Sequence, residues 1–387
     1  MLIIKSKSNF LIFFTLIFHL LLISPVYAKQ KEKALPVNIK SGVRHLVKVA
    51  TSTNPIPISM GEIGNILDFI AGEKDRSYLY YPESWRDTTQ TYFEFDIKRD
   101  FDSFIKYTFN PNIPEQAARL SSVRLSYWKD GANRSQIWNR YEGLDKPFLI
   151  SGTEYEVNTP DTNTGAYYGN TIERTLILCK YKGRKVLISL SYQPEESEVG
   201  KKGAVLAHDG DWNYFYSGIE GLTMKGLGWA SSYMYRSLSI AIYYEVEPGK
   251  PLVRNAIFKW LRAGWAGMNM VKKVHIDRGM KRFARDFKFI LEHPDLPEPE
   301  ELERNFNTIS KLSTKEMKAI AKDNIKNMIK EYGKGEMLSR RQFSSLLRSG
   351  AYLKNMDRRE VEGILILDYM KKTLGKDYKG TLFWEEK

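Results

Sequence analysis

His208, Asp209 and Asp211 stand together around Gly210. An imidazole and two carboxylates brought to one point by a turn is what hydrolytic proton transfer or cation binding needs. An Asp-Gly turn ahead of a strand asks for the same residues for backbone geometry alone, and that reading is preferred. A second group lies on the run Trp229 to Val246. Its row Met234, Arg236, Leu238, Ile240, Ile242 is apolar but for one cation. Should that face line a cavity, Arg236 would meet a carboxylate or phosphate head while its neighbours meet hydrocarbon. The competing reading is an arginine at a strand end that snorkels or pairs with an acid.

Other matches are weaker. Asp161-Thr162-Asn163-Thr164-Gly165 opens like a calcium loop, but its glycine comes too early and position 12 is Ile172. Ser126-x-x-Lys129 falls in a strand pattern, where positions three apart face opposite ways. Cys179, the one cysteine, sits in an apolar run and reads as a buried structural thiol. There is no Gly-x-Ser-x-Gly elbow, Walker loop, dinucleotide fingerprint or His-Glu-x-x-His, so no motif calls for a metal or a cofactor.

The elements that must position these residues follow from periodicity. Gly61 to Ile70 has helical spacing at Ile63, Ile66, Leu67 and Ile70. Tyr92 to Ile97 alternates as a strand, and Asp100 caps a short helix through Phe109. Val123 to Trp128, Phe148 to Val157, Asp211 to Ser217 and Trp229 to Val246 read as strands, and Asn170 to Lys180 pairs with Arg184 to Tyr192 as a hairpin. After Pro248-Gly249-Lys250-Pro251 the spacing approaches four, predicting a long amphipathic helix over Leu252 to Val271. Its stripe carries Val253, Ile257, Trp260, Leu261 and Met268, with Gly264 and Gly267 allowing close approach to the sheet. Beyond Pro294, Pro297 and Pro299, Ser313-x-x-Glu316, Ser339-x-x-Gln342 and Asp357-x-x-Glu360 mark helix starts, and Gly350 and Gly375 mark ends. The expected class is α+β, a mainly antiparallel curved sheet packed on a long amphipathic helix, followed by an all-α C-terminal region.

Lys5 and Lys7 precede an apolar run from Phe10 to Ile23, closed by Pro25 and Val26-Tyr27-Ala28. That is the pattern of a secretory signal peptide, and no cysteine follows to carry a lipid. The domains expected are 1–28 as signal peptide, 29–87 as a basic leader and short helix, 88–290 as the sheet unit with its helix, 295–376 as a helical unit and 377–387 as a tail. The formal charge of +13 favours an anionic envelope surface. Nucleic acid suits the charge but not the address, and no nucleic-acid-binding motif is present.

The element order, with Gly249-Lys250-Pro251-Leu252-Val253-Arg254-Asn255-Ala256-Ile257-Phe258-Lys259-Trp260 opening the final helix, resembles the helix-grip architecture of START-like lipid-binding domains over about residues 88–275. The resemblance implies a curved sheet wrapping a helix around an apolar cavity, and it transfers no ligand residue. The leading expectation is a soluble, non-enzymatic exported protein holding a lipid or other amphiphile, with Met234, Arg236, Leu238, Ile240, Ile242, Trp260 and Met268 as the ligand-binding set. An envelope-directed hydrolase using His208, Asp209 and Asp211, and an interaction protein acting through the helical tail on an unnamed partner, stay open beside it.

Overall fold

The computed structural model describes residues 31–378 apart from 75–77, 131–136, 138–140, 142, 163–164, 225–227 and 336–337. The expected signal peptide, residues 379–387 of the tail and part of the 161–165 loop lie outside the described residues.

The chain opens with β1 (Lys31–Ala34), α1 (Val37–Thr51), α2 (Met60–Ala71) and β2 (Tyr78–Tyr81), the last pairing in parallel with β1. The basic leader expected at the start of 29–87 therefore carries a strand and enters a 15-residue helix. Its basic residues hid an apolar spacing at Ile39, Val43, Leu46 and Ala50, all buried. In α2, Ile63, Ile66, Leu67 and Ile70 are fully buried as their spacing predicts, and Ser59 caps the start by accepting from Glu62 N. The two helices meet at Gly42, where a Cβ would sit 2.5 Å from the Glu62 carbonyl oxygen.

Next come β3 (Thr89–Ile97), α3 (Phe101–Phe109), β4 (Val123–Trp128), β5 (Phe148–Asn158), β6 (Ala166–Tyr167), β7 (Gly169–Tyr181), β8 (Arg184–Tyr192), β9 (Lys201–Val205), β10 (Tyr214–Glu220), β11 (Leu222–Met224), β12 (Gly228–Ala230), β13 (Ser232–Glu245) and β14 (Val253–Trp265). Seven of these form one antiparallel sheet in the order β3-β14-β13-β8-β7-β5-β4, and β10-β9-β6 form a smaller one. The expected strands and the hairpin across Lys182-Gly183 are present, with φ of 50° and 77° at that turn, but the strand expected over Asp211–Ser217 starts only at Tyr214, after a 3-10 turn, and the one expected over Trp229–Val246 is divided into β12 and β13. Asp100 caps α3 through Ser103 N at 2.8 Å.

Leu252 to Val271 is not a helix: it is β14 followed by a turn, paired with β13 on one side and β3 on the other. Ala256, Phe258 and Trp260 lie under α1 and α2, while Val253 packs in the other layer and Ile257, buried on the same side by strand alternation, follows it, so both faces are covered. A strand buried on both faces loses its period of two and can imitate helical spacing. No capping residue opens the segment, and that was the signal against a helix. The long helix is instead the next element, α4 (Lys273–Glu292), which runs along β3 with Phe283 and Phe287 on Phe95.

The C-terminal helices are α5 (Pro299–Lys311), α6 (Thr314–Tyr332), α7 (Arg341–Arg348), α8 (Ala351–Lys354) and α9 (Arg358–Thr373). Ser313 with Glu316 and Asp357 with Glu360 form the expected capping boxes, and Gly350 and Gly375 take left-handed conformations at helix ends. The Ser339 cap is not made: α7 starts at Arg341 with no side-chain cap, and Gln342 accepts from Lys202 Nζ at 3.2 Å instead of folding back on Ser339. The class is α+β, as the residue patterns predict. Among the described residues no helix is long and apolar enough to cross a membrane.

Candidate functional site

The sheet register places an unusual row on the face turned towards α4. Reading across the strands at one level gives Thr91, Lys259, Ser239, Ser191, Arg174 and Gly152, each directly paired with the next. One level along lies Phe93, Ile257, Ala241, Ser189, Leu176 and Ile150, apolar but for one serine. A layer that serves only as core is apolar, because burying polar groups costs free energy that packing does not return. Here a polar row with two cations runs beside an apolar one.

Arg174 anchors the row. Its Nε and Nη2 donate to Glu154 Oε2 at 2.8 and 2.5 Å, and Nη1 donates to Ser189 Oγ at 3.2 Å and to Ser191 Oγ. Ser126 Oγ donates to the other oxygen of Glu154, which is fully buried. Burial raises the Glu154 carboxyl against the pull of Arg174. For Arg174, burial works downward, but the Glu154 and Glu115 charges outweigh it and the guanidinium stays firmly protonated. Glu115 and Arg119, on the 3-10 turn after α3, add an ion pair at 3.3 Å, and Trp128 Nε1 donates to Glu115 at 3.1 Å.

Lys259 differs. Its Nζ donates to Ser237 Oγ at 2.8 Å, and burial pushes the ammonium down to about 8, with Glu156 acting the other way. Lys259, Ser237, Ser239 and Ser191 are half-buried, so this end of the row is reached by solvent. At the outer edge Thr91 Oγ1 donates to Asp277 of α4 at 2.6 Å. Deeper, Asn255 is fully buried beside Phe95 and Tyr243 in the pairing, and its amide nitrogen and oxygen have no partner among the described residues. A buried amide left unpaired marks a place for a polar guest or a water.

The residues singled out from sequence fall elsewhere. Leu238, Ile240, Ile242 and Trp260 are buried on the opposite face under α1 and α2, with Trp260 Nε1 donating to Glu83 O at 2.9 Å. Arg236 donates to Arg86 O at 2.9 Å, beside a bulge between Met234 and Arg236. Met234 is half-buried near Ala166 and Tyr168, and Met268 is 45% exposed on a turn. The structure thus brings together the aliphatic members and Trp260, but not Arg236 with a cavity. The polar row was missed through parity: on β13 the face towards α4 carries Ser237, Ser239, Ala241 and Tyr243. The serines alternating with Leu238, Ile240 and Ile242 were the available signal.

His208 is exposed beside a 3-10 turn at Asp209–Asp211. Asp209 is held by Arg282 at 3.2 Å and Arg285 at 3.1 Å, tying α4 to the turn. Among the described residues no three His, Cys, Asp or Glu side chains are grouped to hold a metal ion. Cys179 is buried and its thiol is pushed up to about 12 by burial, as a structural role requires.

No family model matches the sequence, and no curated protein matches it. Among solved structures, the lipid transfer and protein localization domain of human StarD13 (DLC2) aligns at 10% identity over 60% of this chain and 94% of that one, with a TM-score of 0.26. The site described above rests on this chain's own register.

Proposed function

We propose that this chain is an exported, non-enzymatic binding protein that holds an amphiphile on the sheet face under α4. Its anionic head would meet Lys259 and the serine row, and its hydrocarbon would lie along Phe93, Ile257 and Ala241. One observation carries the reading: a row of polar and cationic side chains, half open to solvent, lies level by level beside an apolar row on the covered face of a sheet. Arg174 is already neutralised by Glu154 and acts as scaffold, whereas Lys259 spends one of its three donors on Ser237. The two arginines on Asp209 support a structural rather than hydrolytic role for that turn. Export is supported by Lys5, Lys7, the Phe10 to Ile23 run and Val26-Tyr27-Ala28.

Titration with a fluorescent fatty acid and with its alcohol tests the reading. The protein should prefer the acid, and Lys259→Met should weaken the acid alone, by the roughly 1.5–3 kcal/mol of a hydrogen bond to a charged group, tenfold or more in Kd. Equal affinity for acid and alcohol, or no binding of either, refutes it. Amino-terminal sequencing of exported protein should begin near Lys29; an intact Met1 in a membrane fraction would make the segment an anchor.

A further inference from the structure

Large apolar side chains are seldom left exposed together on a soluble surface without a use. Among the described residues those exposed are Val37, Leu149, Met268, Met270 and Val274, and three of these fall within 268–274. Met268, Met270 and Val274 are 45%, 47% and 45% exposed.

Their exposure is built in. Past the end of β14 the chain folds back on itself: Met268 N donates to Trp265 O at 3.0 Å and Met270 N to Ala263 O at 2.9 Å. The turn residues Ala266 and Gly267 have φ of 50° and 74°, a left-handed pair that costs free energy at the alanine. Arg262 Nη2 donates to Gly267 O at 2.6 Å, and Tyr235 Oη accepts from Gly267 N at 2.8 Å. At Gly264 a Cβ would stand 2.2 Å from the Met268 carbonyl oxygen, so only glycine permits the fold-back. A strained, hydrogen-bonded hairpin holds two methionines outward.

The surroundings are basic. From Pro248 to Ile276 the sequence has no Asp or Glu, and Lys272 and, in the first turns of α4, Arg278 and Lys281 are exposed. Asp277 is turned inward to Thr91 and Tyr81, while the two exposed acids here are each paired, Asp87 with Arg262 at 3.6 Å and Glu32 with Lys273 at 2.5 Å, which leaves Lys272, Arg278 and Lys281 in excess. Three apolar side chains are far too few for a stable protein interface of about 1,200–2,000 Å². They suit a lipid surface, where shallow insertion adds to about 1 kcal/mol for each Lys or Arg near anionic headgroups.

We infer that the 263–274 segment docks this protein on an anionic membrane surface by inserting Met268, Met270 and Val274 while Lys272, Arg278 and Lys281 meet the headgroups. Thr89 Oγ1 donates to Val271 O at 2.8 Å, so the segment lies at the Leu261 and Thr89 end of the sheet, next to the polar row. The inference does not depend on a ligand being held in that row.

Flotation of the protein isolated from its own compartment, with vesicles of pure phosphatidylcholine and of phosphatidylcholine containing phosphatidylglycerol, tests it. Binding should require the anionic lipid and weaken with salt. Met268→Ser/Met270→Ser/Val274→Ser should reduce binding tenfold or more at an unchanged melting temperature, since none of the three is buried. Lys272→Glu/Arg278→Glu should abolish the dependence on anionic lipid. Wild-type binding by the triple serine variant, equal binding to neutral vesicles, or no binding by the parent overturns the inference.

Discussion

At the scale of single residues, Lys259 and Asp368 make the sharpest predictions. With its ammonium pushed down to about 8, Lys259 is charged at neutral pH and neutral above that value. Affinity for a carboxylate ligand should therefore fall as pH rises from about 7 to 9, and the slope should vanish in Lys259→Met; fluorescence titration across that range measures both. Asp368 on α9 is buried, and burial raises its carboxyl to about 7 against Lys371 and a hydrogen bond from Asn324. A carboxyl raised on folding stabilises the fold at low pH and loses that contribution as pH climbs from its unfolded value near 4 through 7. Asp368→Asn should flatten that slope and melt above the parent at pH 8; thermal unfolding between pH 4 and 8 checks it. Neither shift can be read from sequence, because each is set by burial from elements distant in the chain.

At the scale of elements, strands were legible where alternation survives, as in β3 and β4, and at β7 and β8, which are covered on both faces, because the Lys182-Gly183 turn marks the hairpin. Legibility failed at β14, covered on both faces, and at α1, whose lysines masked its apolar spacing. The site was half legible: an apolar strand interrupted by polar residues was noticed at Arg236, but the interruption that matters is the serine row on the other face. Helix packing offers its own test at Gly42. Gly to Ala inside a helix usually gains about 1 kcal/mol. Here the new Cβ would lie 2.5 Å from a backbone oxygen of α2, so Gly42→Ala should destabilise, and chemical denaturation gives the sign.

At the scale of the whole molecule, the boundary expected between 290 and 295 falls in sequence between α4 and α5, with Pro299 at the first turn of α5. Leu302, Phe306, Ile309, Val361, Leu365 and Ile366 nonetheless share one buried cluster with Phe104, Tyr243 and Phe287. A chain ending at Pro297 would expose that cluster and should melt well below the parent or aggregate; a soluble, cooperatively melting product would establish two independent folding units. The central claim, that both faces of the sheet are core but the half-open polar row on the face towards α4 is kept for a ligand, is most directly tested by tryptophan at two adjacent positions of β13. Ile240→Trp should cost about 1–3 kcal/mol by overpacking the face under α1 and α2, with fatty-acid affinity retained in the folded fraction. Ser239→Trp, placed in the half-open polar row, should leave thermal unfolding close to the parent and abolish binding. Binding lost at Ile240 and kept at Ser239 would contradict the account.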